Sequence, residues 1–302
     1  MSVRPFRFGV GPAGLTGDVA ANAAAWTDLA RHVEELGYHS LLVGDHLDGR
    51  PGPLTALAVA AATTSRLHVG TSVLNNDLRN AAVLGQEVVT LHRWSGGRIE
   101  LGLGAGWLST DYERAGLPMD PPGRRIARLD QAVTALRELL AVEFAGSDAG
   151  DGAAPPIVLG GGGRRMLELA ARRADIVAIN ARLSNDSAGL VPGADATVEA
   201  TRRKLDWVRT ASADRAHAPE LQIYVHAVRC ANDRDEAAAA AAARLGITAA
   251  EALQSPHVLA GPSEAMIEQL EARRGELGIS YVMVSAGVAD AFAPVVAALA
   301  GR

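Results

Sequence analysis

The chain has 302 residues, 48% of them hydrophobic and 4% aromatic, and its formal net charge at pH 7 is −5. This length and apolar content are typical of one large α/β domain, and the mildly acidic balance argues against nucleic acid or an anionic membrane as main partner. The single cysteine, Cys230, excludes a disulfide framework and a cysteine metal cluster. The N-terminal residues lack the apolar core of a signal peptide and no apolar run is long enough to span a membrane, so we expect a cytoplasmic protein.

In the first half of the chain, short apolar runs alternate with helical patterns, which predicts β-α units and a parallel sheet. The predicted strands are 6–10, 40–43, 67–74 and 98–103. A first helix is marked by apolar residues at helical spacing and closed by Gly37; these residues are Trp26, Leu29, Ala30, Val33 and Leu36. Further helices are predicted over 54–64, 81–91 and 126–142.

The second half begins with a small, polar, Gly- and Pro-rich stretch at 144–156, which predicts a surface loop. The predicted strands are 157–159, 175–179, 221–228 and 281–284. The predicted helices are 164–173, 198–211, 235–245, 265–277 and a last one marked by Phe292, Val295, Val296 and Leu299. Eight strands alternating with helices favour a (β/α)8 barrel. An open doubly wound sheet is the alternative, although the first strand is not followed by G-x-G-x-x-G.

A glycine-rich strand between Trp94 and Trp107 is the most informative part of the chain. A Gly96-Gly97 turn leads into the predicted fourth strand, which ends in a glycine run. Backbone without Cβ atoms turns sharply and lets a ligand come close, and the carboxyl ends of barrel strands are where active sites lie. Trp107 either stacks on a planar ligand there or packs under a loop.

Three other strand ends carry candidate site residues. Gly160 to Gly163 join a strand to a helix and precede Arg164 and Arg165, a pattern typical of a phosphate site, although a flexible turn with solvated arginines has the same pattern. Asp45-His46 ends the second strand. A histidine at this position is suited to relaying a proton. In the alternative interpretation, Asp45 caps a helix and His46 is incidental. The residues 71–77 end the third strand and either line a pocket floor or cap the next helix.

The remaining histidines and Cys230 are expected to be structural or inert. The exception is His226 on the predicted seventh strand, whose side chain could point into the barrel mouth. No H-E-x-x-H, G-x-S-x-G or P-loop motif occurs, which argues against zinc protease, serine hydrolase and NTP hydrolase functions. No metal site is expected.

Taken together, these motifs resemble the luciferase-like monooxygenase superfamily of flavin and deazaflavin oxidoreductases. The resemblance is closest to the actinobacterial branch that depends on coenzyme F420, and it covers nearly the whole chain. The segments that carry it are 30–38, 43–47, 70–77, 95–107, 156–163 and 255–259.

This resemblance implies a single (β/α)8 barrel domain of bacterial luciferase type over residues 1–302, with a shortened segment at 143–156 and an insertion near 180–197. It implies that F420, or alternatively FMN, binds at the carboxyl ends of the strands, with His46 as the catalytic residue. The Ser72-Val73 peptide would be a non-proline cis bond that backs the ring. The cofactor-binding residues that it implies are Asp45, Ser72, Val73, Asn75, Gly106, Trp107, Gly161, Gly162, Gly163 and Arg164.

The expected partners are a small-molecule substrate, a second copy in a homodimer formed near the second and third strands, and a flavin or F420 reductase. The chain departs from the sugar-phosphate dehydrogenase branch, because Arg50 replaces a tryptophan and Trp107 replaces a glutamate. Three functions therefore stay open: hydride transfer between F420 and a small organic substrate, FMN-dependent monooxygenation with flavin reduced elsewhere, and a non-catalytic binding barrel.

Overall fold

The computed structural model describes residues 4–11, 17, 21–146, 153–186 and 189–302. Eight parallel strands form its centre, and each pairs with the next along the chain. Because β1 also pairs with β8, the sheet closes into a barrel. The strands are β1 Arg7–Gly11, β2 Ser40–Val43, β3 His68–Thr71, β4 Ile99–Gly104, β5 Ile157–Gly161, β6 Ile176–Ile179, β7 Glu220–Tyr224 and β8 Ile279–Ser285. The predicted (β/α)8 barrel is confirmed, and the doubly wound alternative is wrong.

Helices surround the barrel and bury their apolar faces against it. In chain order, those in the described residues are α1 Ala23–Glu35, α2 Pro53–Thr63, α3 Ala81–Trp94, α4 Ser109–Ala115, α5 Pro122–Glu143, α6 Arg164–Arg173, α7 Val198–Ala211, α8 Arg234–Leu245, α9 Ala249–Gln254, α10 Ser263–Leu277 and α11 Ala289–Leu299. Gly37 follows α1 with φ +82°, as predicted for a residue that ends a helix. In the part of the chain that the structure describes, no helix has the length and apolar character needed to cross a bilayer.

Two predicted strands are corrected by the structure. The strand predicted over 67–74 stops at Thr71, and a two-residue strand, Leu74–Asn75, resumes pairing with β4. The strand predicted over 221–228 ends at Tyr224, and Ala227–Cys230 pairs instead with Val258–Gly261 in a separate two-stranded sheet. Apolar residues recur on both sides of each strand end, at Val69 and Val73 and at Ile223 and Val225, so the residue types do not show where the pairing partner changes.

Two short helices, α4 and α9, were not predicted, because six or seven residues show too little periodicity. The insertion near 180–197 contains a hairpin of Ser184–Asp186 and Gly189–Val191, whose residues 187 and 188 lie outside the described part. Of the shortened segment 143–156, residues 147–152 also lie outside it.

Glycines allow the neighbouring strands β3 and β4 to approach each other closely. A Cβ atom at Gly102 would lie 1.8 Å from the carbonyl oxygen of Thr71, and one at Gly70 would lie 2.6 Å from that of Glu100. The strands can therefore approach closely only without side chains there. The remaining interior is filled by apolar and aromatic residues, among them Leu42, Val158, Ala178, Tyr281 and Met283.

A buried ionic cluster closes the end of the barrel where the strands begin. Arg7 donates to Glu100 and, through two nitrogens, to Glu220, while the Tyr281 hydroxyl donates to Glu100 over 2.8 Å. His39, His68 and Glu100 also lie close enough to share a cation. However, Nη1 of Arg7 lies 2.8 Å from both Nε2 of His39 and Oε1 of Glu100. The guanidinium therefore already supplies the positive charge at this position.

Candidate active site

The opposite end of the barrel, the mouth, gathers most of the residues predicted for the site. His46 follows β2, Asn75 follows β3, and Gly106 and Trp107 follow β4. Because parallel strands end at the same edge, these residues come together although they are far apart in sequence. Gly161 is the last residue of β5, and the turn of Gly162 and Gly163 follows it on the neighbouring side of the same mouth.

His46 is held by a carboxylate that the sequence did not single out. Its Nδ1 lies 2.8 Å from Oδ2 of Asp111, and the other oxygen of Asp111 accepts the backbone N–H of Leu47 over 2.9 Å. An ionised carboxylate only accepts hydrogen bonds, so Nδ1 of neutral His46 carries the proton and Nε2 keeps a lone pair. The His46 side chain is 18% exposed and that of Asp111 only 3%. The pair thus fixes both the ring orientation and the tautomer of His46.

Trp107 stands beside His46 at the mouth. The two ring centroids are 5.9 Å apart and the rings are almost perpendicular, at 89°. Trp107 is 53% exposed, which leaves part of its indole uncovered by protein. This arrangement offers a flat apolar surface next to a hydrogen-bonding nitrogen.

The turn that presents Trp107 is fixed from several sides. Gly106 has φ +71°, and a Cβ atom there would lie 2.3 Å from the Tyr112 hydroxyl and 2.6 Å from Oδ1 of Asn75. Arg125 donates to the carbonyl oxygens of Ala105, over 3.0 Å, and Gly106. Gly106 is therefore required by the surrounding protein, whether or not a ligand approaches it. Asn75 in turn caps the short helix 76–78 through Asp77 N.

Asp45 lies beside His46 in sequence but is bound to other protein groups. Its carboxylate forms a two-point ion pair with Arg79 and accepts the backbone N–H of Asn75 over 2.9 Å. Asp45 is buried, so these partners use its hydrogen-bonding capacity. Its position joins the end of β2 to the segment after β3, which makes it a support of the site wall.

The Ser72–Val73 peptide bond is cis, as the resemblance implied. Ser72 N donates to the carbonyl oxygen of Val43 over 2.8 Å. Val73 lies over β4, since a Cβ atom at Gly104 would be 2.6 Å from its Cγ2. This pair thus forms the β3 side of the mouth.

The glycine turn after β5 divides into packed and open positions. A Cβ atom at Gly161 would lie 2.4 Å from Met166, and one at Gly162 would lie 2.7 Å from the carbonyl oxygen of Asn180. A Cβ atom at Gly163 would meet nothing within 4 Å. Gly163 begins α6 without a side-chain cap, so the first N–H groups of α6 have no cap acceptor. The Arg164 side chain is 68% exposed and binds Glu168.

Two clefts lie next to the Asp45–Arg79 ion pair. A cleft of about 510 Å³ is lined by residues that include Asp77, Arg79 and Arg128. A second, of about 330 Å³, shares Arg79 with it and includes Asp45 and Leu47. No residue of the strands β1 to β8 lines either cleft. The homodimer expected near the second and third strands stays a prediction.

Sequence reasoning missed Asp111, Arg79, Tyr112 and Arg125. The signal for Asp111 was present, since Ser109-Thr110-Asp111 after a glycine run is a helix-start pattern with an acid in the first turn. No local pattern marks Arg79 or Arg125, whose roles depend on contacts across the fold.

Comparison with known proteins agrees with this architecture. The profile of the family described as luciferase-like monooxygenase matches residues 5–282. The chain is 32% identical over 171 residues to 5,10-methylenetetrahydromethanopterin reductase of Methanolobus tindarius, covering 52% of this chain and 50% of that protein. It is 37% identical over 127 residues to the F420-dependent glucose-6-phosphate dehydrogenase of Beutenbergia cavernae, covering 39% and 37% respectively. The chain thus matches half or less of the length of these relatives.

A solved structure extends the likeness to the whole fold. It is the oxygenating constituent of 3,6-diketocamphane monooxygenase from Pseudomonas putida in complex with FMN. It superposes with a TM-score of 0.69 at 16% identity and covers 97% of this chain and 95% of its own. The relatives are reductases, dehydrogenases and monooxygenases by name. The chain belongs to the luciferase-like monooxygenase family.

Proposed function

We propose that the protein is an oxidoreductase that transfers a hydride between coenzyme F420 and a small organic substrate. The observation that carries this proposal is the Asp111–His46 pair beside the exposed indole of Trp107 at the barrel mouth. Support for F420 comes from the relative named as F420-dependent, which is 37% identical to this chain over 127 residues.

The residues at the mouth fit a planar cofactor that carries a phosphate. Val73 lies on the β3 side, Trp107 offers an uncovered ring face, and the open N-terminus of α6 offers unpaired N–H groups for an anion. Gly163 leaves space there that a side chain would fill. The cofactor, when bound, supplies the hydride chemistry, while the protein supplies position and electrostatics.

His46 is the group that would handle a proton. With Nδ1–H bound to Asp111, its Nε2 accepts a proton from a substrate oxygen or returns one to it. The charge that forms on the imidazole is then stabilised by the carboxylate of Asp111, as in other Asp–His pairs. Asp111 is thus the positioning residue and His46 the proposed acid–base residue.

Fluorescence titration of the purified protein with F420, and separately with FMN, tests the proposal. We expect saturable F420 binding and turnover of F420 with a substrate panel. Oxygen consumption with reduced FMN, together with no F420 binding, would contradict the proposal and favour the monooxygenase alternative. Binding of neither cofactor would favour the non-catalytic barrel.

A further inference from the structure

Two neighbouring helices at the mouth begin with arginines where acidic residues are usual. The first turn of α5 contains Arg124 and Arg125, and the first turn of α6 contains Arg164 and Arg165. Neither turn contains an acidic residue, and neither helix has a side-chain cap. Because the N-terminus of a helix is the positive end of its dipole, a cation there is unfavourable. Such a departure from a local rule is typical of a functional site.

Two of these four arginines are bound within the protein. Arg125 is buried and donates to the carbonyl oxygens of Ala105 and Gly106. Arg164, which the resemblance assigned to the cofactor, pairs with Glu168 one turn later in the same helix, over 2.7 Å. The sequence neighbour Arg165 is therefore the arginine of α6 whose charge is left for a ligand.

The guanidinium of Arg165 lies where a positive charge is least favourable. Its Nη1 lies 2.9 Å from the place that a Cβ atom of Gly123 would take, so it lies against the first turn of α5. In the part of the chain that the structure describes, no acidic side chain pairs with Arg165. A cation of one helix thus lies at the positive end of another, an arrangement that a bound anion would stabilise.

A fifth arginine, Arg182, approaches the same turn from the insertion near 180–197. Its Cγ lies 2.6 Å from the place that a Cβ atom of Gly162 would take, so its side chain lies against the glycine turn. The side chain is 67% exposed, and its Nη2 lies 3.6 Å from Oδ1 of Asp195, which is too far for a hydrogen bond. The charge of Asp195 is balanced by Lys204, whose Nζ lies 2.6 Å from Oδ2. The charge of Arg182 is therefore available to a ligand.

The backbone of Arg182 is held in place although its guanidinium is free. Its N–H donates to Oδ2 of Asp195 over 2.6 Å, and Lys204 also donates to the carbonyl oxygen of Asn180 over 3.0 Å. Asn180 N in turn donates to the carbonyl oxygen of Gly161 over 3.0 Å. The buried Lys204–Asp195 pair thus fixes the point from which Arg182 reaches the turn.

Arg165 and Arg182 stand on opposite sides of the open position at Gly163. Arg165 lies against α5, which precedes β5, whereas Arg182 follows β6. A Cβ atom at Gly163 would meet nothing within 4 Å. Guanidinium groups bind phosphate oxygens through paired N–H donors. We infer that Arg165 and Arg182 are the side chains that bind a phosphate group at this turn. The inference deepens the proposed function, on which it rests in taking that phosphate to be the cofactor's.

F420 and FO, the same deazaflavin without the phosphate and the tail beyond it, are the first pair of probes. Each is titrated by fluorescence into the wild-type protein and into Arg165→Gln and Arg182→Gln. We expect each variant to bind F420 about tenfold more weakly, the contribution of one charge-assisted hydrogen bond, and to bind FO as the wild type does. Arg172→Gln is the control, because it removes the same charge from the last turn of α6 and should change neither affinity.

Inorganic phosphate is the second probe, since its binding needs no cofactor ring. It is titrated into wild-type protein with 15N-labelled arginine while the Nε resonances are recorded. We expect phosphate to shift the resonances of Arg165 and Arg182 saturably and to leave that of Arg172 unchanged. This measurement decides the matter if a variant fails to fold.

Four results would overturn the inference. They are unchanged F420 affinity in both variants, equal losses of F420 and FO affinity, no phosphate-induced shift, and phosphate-induced shifts of the same size at Arg172. The last would mean an adventitious ion only. A loss of F420 affinity without phosphate-induced shifts would mean that the arginines bind the tail and not the phosphate.

The two proposals can fail separately. If F420 binds with the same affinity to the wild type and to both variants, and phosphate causes no shift, only the assignment of Arg165 and Arg182 is wrong. If phosphate shifts both arginines but neither F420 nor FO binds, the phosphate site stands and only the proposed cofactor is wrong.

Discussion

Single side chains at the mouth divide into those that face a ligand and those that hold the others in place. His46 keeps a free Nε2 because Asp111 occupies Nδ1. Asp45, its neighbour in sequence, is saturated by Arg79 and the N–H of Asn75. Of this adjacent pair, His46 therefore faces a ligand and Asp45 supports the wall of the site. Only the hydrogen-bond partners of the two side chains distinguish these roles.

Replacing His46 by alanine should reduce turnover by about 100-fold or more, the usual contribution of a positioned acid–base group. F420 affinity should change little, because the imidazole is only one edge of the proposed binding surface. Steady-state kinetics and fluorescence titration measure the two quantities. The exposed variant His217→Ala is the control. Full turnover in the His46 variant would remove its proposed role.

Asp111→Asn should lower kcat more than it changes KM, since the amide no longer enforces the Nδ1–H tautomer of His46. Nitrogen-15 NMR of the histidines checks the cause directly. The wild-type protein should carry the proton of His46 on Nδ1, and the variant should show a mixed or reversed tautomer. An unchanged tautomer with lost turnover would mean that Asp111 acts in another way.

Among the elements, the short helix α4 does the most to build the site. Its seven residues deliver Asp111 to His46 and Tyr112 to Asp77, whose carboxylate accepts the Tyr112 hydroxyl over 2.9 Å. The same hydroxyl limits the space beside Gly106. A helix too short to show periodicity thus links the ends of β2, β3 and β4.

The turn before α6 allows a matched pair of glycine variants. Gly162→Ala places a Cβ atom against the backbone of Asn180, so it should lower the free energy of unfolding by about 1–3 kcal/mol. Gly163→Ala enters open space and should cost less than about 1 kcal/mol. Both should weaken F420 binding if the turn holds the phosphate. Urea unfolding and cofactor titration separate the two effects, and equal stabilities would contradict the packing described here.

The barrel and most of its strands and helices could be predicted, because the alternation of apolar runs depends on local sequence. Thr71 and Tyr224 could not be predicted as strand ends, because a change of pairing partner leaves no mark on residue type. For the site, the resemblance placed His46, Trp107 and the cis Ser72–Val73 bond in one mouth. Arg79 could not be predicted because its contact with Asp45 joins segments that are distant in sequence. Asp111 stands in a recognisable helix start, but no local pattern shows that it pairs with His46, 65 residues earlier.

At the scale of the whole molecule, the two ends of the barrel differ in their electrostatics. The mouth has open groups, whereas the base is closed by Arg7, Glu100 and Glu220. Burial raises the pKa of Glu100, but hydrogen bonds from His39 and Tyr281 and the charge of Arg7 outweigh it and hold that pKa at about 2. Burial lowers the pKa of His68 to about 4.

These shifts predict acid lability. Between pH 6.5 and 4, His68, His226 and His257 bind protons in the unfolded state but stay neutral in the folded state. The free energy of unfolding therefore falls as the pH falls through this range. Below pH 4.5, Glu100 continues the loss down to about pH 2. Urea unfolding from pH 8 to 4 measures the slope. His257→Asn should flatten it by up to about 1.4 kcal/mol per pH unit, whereas His217→Asn should not. Stability independent of pH between 6.5 and 5 would contradict the prediction.

The pairing of β1 with β8 has a consequence for how the chain folds. Arg7 lies opposite Tyr281 and binds Glu220, 213 residues away, so the ring of strands closes only after almost the whole described chain is available. Contacts of such sequence separation form slowly. Until then β1 presents an unpaired edge that other chains can join. We therefore expect ring closure to be the last step of folding. We also expect that any segment or protein that covers the edge of β1 before β8 is synthesised will suppress aggregation.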